Sequence, residues 1–302
     1  LRKPVTVNIY PSDSKADSLM DKIAASYAGK WSEWAVFDCA VYEKLGFGEN
    51  KTDKENYKNL TVNALAKTTP LVTDRAKAEI ILSALGVNTE KLTAFGKTES
   101  YSNAEKLGKM DFGSSYYTAP WVLLAEEAGQ LKLSDEQRNA LISTIISAQG
   151  ENGLFYSIWG GEKYDDVDTT GTALAALARF YGSSETVKGF ADKAVSGLSA
   201  AQGENGSYGN VNSDAMVITG LAAMGIKPSS DPRFIKNGCS LENALMLYVN
   251  DGANGFATGY RDGDAFDKAT ALATEQGFRA LIVLRQLENC SSFNIYSLNV
   301  SG

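Results

Sequence analysis

The chain has 302 residues, 44% of them hydrophobic, and a formal net charge of −7, so it holds enough apolar material for one large domain or two ordinary ones. Its basic residues form no cluster that would track a phosphate backbone, which argues against nucleic acid, and no apolar run nears the roughly 20 residues that span a bilayer. Histidine is absent, which removes the commonest general base and the commonest transition-metal ligand together.

In chain order, residues 1–14 contain the strand-like Pro4-Val5-Thr6-Val7-Asn8-Ile9-Tyr10 and are expected to be a linker left from a preceding module; residues 15–302 are expected to form a single domain. Two kinds of helix then alternate. Amphipathic segments with a charged face are predicted at 18–27, 57–67, 103–109, 134–148, 186–201 and 241–249. Each is followed by a segment of small and apolar residues, at 34–46, 73–86, 117–129, 168–182, 213–225 and 274–287. Five of the apolar set stop at glycine, read as left-handed caps. Thr73 with Asp74, Asp168 with Thr169 and Thr170, and Ser213 with Asp214 are read as N-caps.

The phrase Ala-Gln-Gly-Glu-Asn-Gly occurs at 148–153 and again at 201–206, each time running through an aromatic, Phe155 or Tyr208, into the next apolar helix. It marks a repeated helical hairpin that cannot bury its apolar face alone. Six apolar helices inside and six amphipathic helices outside predict an all-α fold, an α6/α6 toroid. Alternating direction puts all six inner N-termini on one rim.

That rim is the expected binding site, and Trp34, Asp74, Tyr117, Trp121, Trp159, Tyr164, Asp168, Asp214, Tyr260 and Glu275 are its candidate ligand-binding residues. Aromatic plates beside carboxylates suit a glycan, a corrinoid or a peptide. The competing reading makes Phe155, Tyr208 and Phe256 wedges between hairpins and the acids ordinary helix caps. Acids at the inner N-termini offset the helix dipoles, so a neutral or cationic ligand is expected. Cys39, Cys239 and Cys290 show no metal spacing; Cys39 reads as a small core residue, and Cys239 and Cys290 stand either as a disulfide or as free thiols. The turn Asp262-Gly263-Asp264-Ala265-Phe266-Asp267 lacks the EF-hand ligand order, and no metal or cofactor is expected.

Gln149-Gly150-Glu151-Asn152-Gly153-Leu154-Phe155, Gln202-Gly203-Glu204-Asn205-Gly206-Ser207-Tyr208 and the weaker Asp251-Gly252-Ala253-Asn254-Gly255-Phe256 resemble the corner repeated in terpenoid cyclases and protein prenyltransferases. Asp168-Thr169-Thr170-Gly171-Thr172-Ala173-Leu174 and Trp34-Ala35-Val36-Phe37-Asp38-Cys39-Ala40 look closer to prenyltransferase/squalene-oxidase-type repeat domains of secreted Gram-positive surface proteins, whose toroid transcobalamin and intrinsic factor share. The resemblance runs from about Ser18 to about Gln286 and implies the toroid. It does not extend to prenyltransferase chemistry, whose catalytic zinc needs Asp, Cys and His. Asp166-Val167-Asp168-Thr169-Thr170 is similar to the proton-donating motif of class II cyclases, which would make Asp166 and Asp168 catalytic. Cys239-Ser240-Leu241-Glu242-Asn243 lacks the glutamine of a complement-type thioester and reads as a loop with Ser240 capping a helix. The resulting expectation is a non-enzymatic, extracellular or cell-surface module that binds a ligand or partner at the rim; the alternative is a cyclase-like or carbohydrate-active enzyme using rim aspartates.

Overall fold

The computed structural model describes residues 14–258 and 268–301, and the strand-like segment at 4–10 lies outside them. Its inner helices are α2 (Glu33–Lys44), α4 (Val72–Ala84), α6 (Thr118–Ala128), α8 (Val167–Leu177), α10 (Val211–Ala223) and α12 (Ala271–Leu287). The outer helices are α1 (Ser14–Ser26), α3 (Lys54–Lys67), α5 (Asn103–Gly108), α7 (Asp135–Ser147), α9 (Glu185–Ala201) and α11 (Leu241–Met246). Each inner helix packs on the next, and α12 packs back on α2, so the inner ring closes. This is the α6/α6 toroid.

Composition explains which set lies inside. Along α10 every residue from Ser213 to Ala222 is buried, whereas α7 buries only Leu141 and Ile145. A helix apolar on all sides needs neighbours on all sides. Two glycines set the tightest seam: a methyl group at Gly171 would sit 2.5 Å from the Met216 carbonyl oxygen, and one at Gly220 would strike the Gly171 carbonyl. α8 and α10 therefore touch backbone to backbone.

The repeated corner is a joint with a fixed wiring. Gln149 Nε2 donates to the carbonyls of Gly153 (2.9 Å) and Phe190 (3.0 Å), and Gln202 Nε2 donates to those of Gly206 (2.6 Å) and Phe234 (3.0 Å). Each glutamine thus ties its own turn to the following hairpin. Gly153 and Gly206 take φ of 92° and 84°, and a side chain at Gly153 would drive into the Lys193 carbonyl. The aromatic after each turn anchors to the next inner helix: Phe155 N–H donates to Thr170 Oγ1 (3.1 Å), Phe256 N–H to Thr274 Oγ1 (3.1 Å) and Tyr208 N–H to Asp214 Oδ1 (2.7 Å). Phe155 and Phe256 are fully buried wedges.

Several local expectations are corrected. Asp166 caps α8 by accepting from Thr169 N–H (2.9 Å), and Asn210 caps α10 by accepting from Ser213 N–H (2.9 Å), so Asp168 and Asp214 lie inside their helices, at the second and fourth positions. Asp74 sits at the third position of α4 and accepts from Leu71 N–H (2.9 Å). Ser240 does cap α11, accepting from Asn243 N–H at 3.1 Å. Gly46, Gly86 and Gly225 are left-handed stops at φ of 74°, 75° and 72°, but Gly129 is extended at −117°. Its missing side chain makes room for Glu79, whose Cγ would lie 2.7 Å from a Cβ there. All three cysteines are free thiols; Cys39 is fully buried, which pushes it up to about 12.

Two hairpins interrupt the helical plan. β1 (Phe155–Trp159) and β2 (Glu162–Asp166) pair antiparallel through Gly160-Gly161, both at positive φ as a tight two-residue turn requires. β5 (Ser292–Asn294) and β6 (Asn299–Ser301) form a second hairpin, and with the short pair β3 (Ile235–Lys236) and β4 (Cys239–Ser240) they complete the sheet structure among the described residues. The β5–β6 turn carries Tyr296 into the ring, where it is fully buried, while Asn294 Nδ2 donates to the Ala175 carbonyl at 3.0 Å.

Candidate functional site

A cavity of about 180 Å³ opens at the N-terminal ends of the inner helices, and all six contribute to its wall. Trp34 comes from α2 and Lys77 from α4; Trp121 belongs to α6, with Tyr117 just before it. α8 supplies Asp168, Thr169 and Thr172, α10 Met216, and α12 Gln276 and Arg279. The sequence places these groups together because each occupies the early turns of a helix that starts at the same rim.

Aromatic rings form one side. Trp34 and Trp121 lie 5.6 Å apart between centroids, and the buried Tyr296 meets both edge-on, at 6.2 Å and 5.4 Å. Two cations rest on these rings: Lys77 Nζ is 5.0 Å from the Trp121 centroid and Arg279 Cζ is 4.6 Å from that of Trp34. Their situations differ. Arg279 is buried and donates from Nε to Asp38 Oδ1 (2.8 Å), from Nη2 to Asp38 Oδ2 (3.1 Å) and to Glu275 Oε1 (3.3 Å). Burial opposes its charge, but the carboxylates of Asp38 and Glu275 overcome that and raise its pKa, so it stays a cation. Lys77 makes no ion pair within 4.0 Å among the described residues, and its charge opposes the burial-driven rise of Glu275.

Two polar groups of the wall lack what their burial calls for. Gln276 Oε1 is buried without a hydrogen-bond partner among the described residues. The Asp168 carboxyl is raised above the ordinary aspartate range by burial, with Asp166 adding to the rise and Ser213 opposing it. Such a group holds its proton longer than a solvated aspartate does. Gln276 and Asp168 line one aromatic-walled space.

Of the residues predicted for the rim, Trp34, Tyr117, Trp121 and Asp168 meet in this cavity. Glu275 stands behind Arg279, and Asp74 lines a neighbouring groove. Trp159 and Tyr164 sit on the β1–β2 hairpin, 73% and 54% exposed. Asp214 is fully buried in the wall, where Oδ1 accepts from Ser207 Oγ and Tyr208 N–H, and burial pushes its carboxyl up to about 7. Asp166 is the α8 cap. Tyr260, Asp262 and Asp264 lie outside the described residues. Sequence reasoning missed Lys77, Gln276, Arg279, Met216 and Tyr296. For Lys77, Gln276 and Arg279 the available signal was a charged or amide side chain on an inner helix; Met216 and Tyr296 carried none.

No protein-family model matches the chain, and no curated protein matches it. Among solved structures it is similar to a polysaccharide lyase, at a TM-score of 0.54 and 12% identity, over 91% of this chain and 98% of that one. The likeness at that identity is one of fold. It corrects the expectation of a non-enzymatic binding module, because the matched toroid is that of an enzyme and the carbohydrate-active alternative fits it better. Nothing in the match points to terpenoid cyclases or prenyltransferases.

Proposed function

We propose that the chain is a carbohydrate-active enzyme that cleaves a glycan at the central cavity, with Asp168 as the proton donor. The observation that carries this reading is the Asp168 carboxyl, held toward its protonated form, opening into the same space as the Trp34–Trp121 pair. Breaking a glycosidic bond by hydrolysis or by elimination leaves a sugar oxygen that must take up a proton, and a carboxyl raised by burial is better suited to donate it than a solvated one. The indole faces provide the apolar surface on which a pyranose ring stacks, and Gln276 adds an amide side chain to the lining. Lys77 supplies a cation for a uronic-acid carboxylate, should the sugar be acidic; the polysaccharide lyase of the same fold supports that arm. An extracellular or cell-surface setting, where polysaccharides are met, belongs to the same proposal.

The test is a panel of neutral and uronate-containing polysaccharides incubated with wild-type protein and D168N. New reducing ends without ultraviolet absorbance indicate hydrolysis, and unsaturated uronide absorbance indicates elimination. Either product, lost in D168N while the variant keeps its melting temperature, is the expected result. Equal cleavage by the two proteins, or none of the panel cleaved by the wild type, would refute the assignment.

A further inference from the structure

A second depression, of about 330 Å³, lies on the same rim between the start of α2, the middle of α3 and the start of α4. Trp31, half-exposed, forms one wall, and Leu60, Ala64 and Pro70 line the rest. Glu33 and Asp74 bring carboxylates to it. Resting on the glycan-cleaving reading above, we infer that this groove is a distal sugar subsite, which holds a further unit of the same glycan chain whose scissile bond lies at Asp168.

Continuity with the central cavity decides the occupant. α2 gives Trp34 to the cavity and Trp31 and Glu33 reach the groove just before and at its start, while α4 gives Lys77 to the cavity and Asp74 and Ala78 to the groove. The two spaces are the two sides of one seam, and Lys77 acts electrostatically on Glu33 across it. A ligand leaving the cavity over this seam enters the groove directly. The lining also matches the chemistry of a sugar: an indole face for the ring's C–H surface and carboxylates as acceptors for its hydroxyls. Asp74 uses Oδ2 for the Leu71 N–H, which leaves Oδ1 for a ligand. The volume falls in the usual range for a small-ligand pocket, from about 300 Å³ upward, which the central cavity alone does not reach. A chain of several units is therefore held better than a single one.

Isothermal titration of wild-type, W31A and A64W proteins with cello-, manno-, chito- and oligogalacturonide ladders from one to six units tests this. Trp31 and Ala64 are exposed, so neither substitution disturbs the core. The wild type should gain affinity with chain length on the ladder it recognises. That gain should fall about tenfold in W31A, which loses the stacking surface, and in A64W, which fills the groove. The same length-dependent gain in all three proteins overturns the subsite while leaving the central site standing. An apolar peptide that binds the groove in place of any glycan overturns the subsite as well, and no ladder binding to the wild type, with no polysaccharide cleaved, removes both readings together.

Discussion

The corner joints and the central cavity use the same kinds of residue to opposite ends. In the joints, Gln149 and Gln202 each donate to two carbonyls, and Thr170 and Thr274 each accept from the aromatic that follows the turn. In the cavity, Gln276 has an unpartnered oxygen and Asp168 is held against its own ionisation. Two residues of helical register separate the cases: Asp168 and Thr170 lie on one helix, as do Thr274 and Gln276. Rotation about the helix axis sends one side chain into the wall and the other into the ring. The wall residues bond to backbone across the corners whereas Asp168 and Gln276 line the space, although unpartnered atoms occur in both places, Gln202 Oε1 and Asp214 Oδ2 among them.

The largest effect that could break this contrast is on activity. D168N should lower glycan cleavage by about 10²–10⁴-fold, the usual worth of a general acid, with little change in melting temperature; a large stability loss would move Asp168 into the wall class. R279M should destabilise the fold by about 3–5 kcal/mol in denaturant unfolding, because it leaves the buried Asp38 carboxyl without its partner, and D38N added to it should restore part of that loss. Q202A should cost about 1–3 kcal/mol, since two buried carbonyls lose their donor, while Q276A should cost less because Gln276 Oε1 has no partner to lose.

A further effect concerns pH. Asp214 occupies the register of Thr170 and Thr274, yet it is a carboxyl raised to about 7 from 3.8, first by burial. An acid raised in the folded state binds more protons there than in the unfolded chain, so its contribution to stability is full below about 4 and is lost as pH rises through about 7. D214T should keep the bond from Tyr208 N–H and flatten part of the decline in melting temperature between these limits. An unchanged slope would show that Asp214 ionises freely in the folded protein.

The helices were legible because their causes are local. Runs such as Thr172 to Ala178 and Val217 to Ala223 state burial on all sides, and the Gln-Gly-x-Asn-Gly corners state the turn between layers. The cavity was legible only where aromatics sit near helix starts. Arg279 hid in the apolar run of α12 because its partner, Asp38, lies at the other end of the chain, and no sequence window holds both. The β1–β2 hairpin had a sign in Gly160-Gly161, but the neighbouring helical grammar obscured it. The caps slipped by two or three residues because polar residues recur around the inner starts, and only the backbone angle at Asp166 or Asn210 distinguishes the cap from the rest.

The Asp38–Arg279 pair joins residues 241 apart, and it fastens the first inner helix to the last. During synthesis α2 leaves the ribosome long before α12, so its inward face and the Asp38 carboxylate stand without their partners until the chain is nearly complete. Loop-closure entropy grows only slowly with length, but contacts this distant slow the search for the native state. Closing the ring is therefore a late event in folding, and the walls of the cavity come together only when it happens.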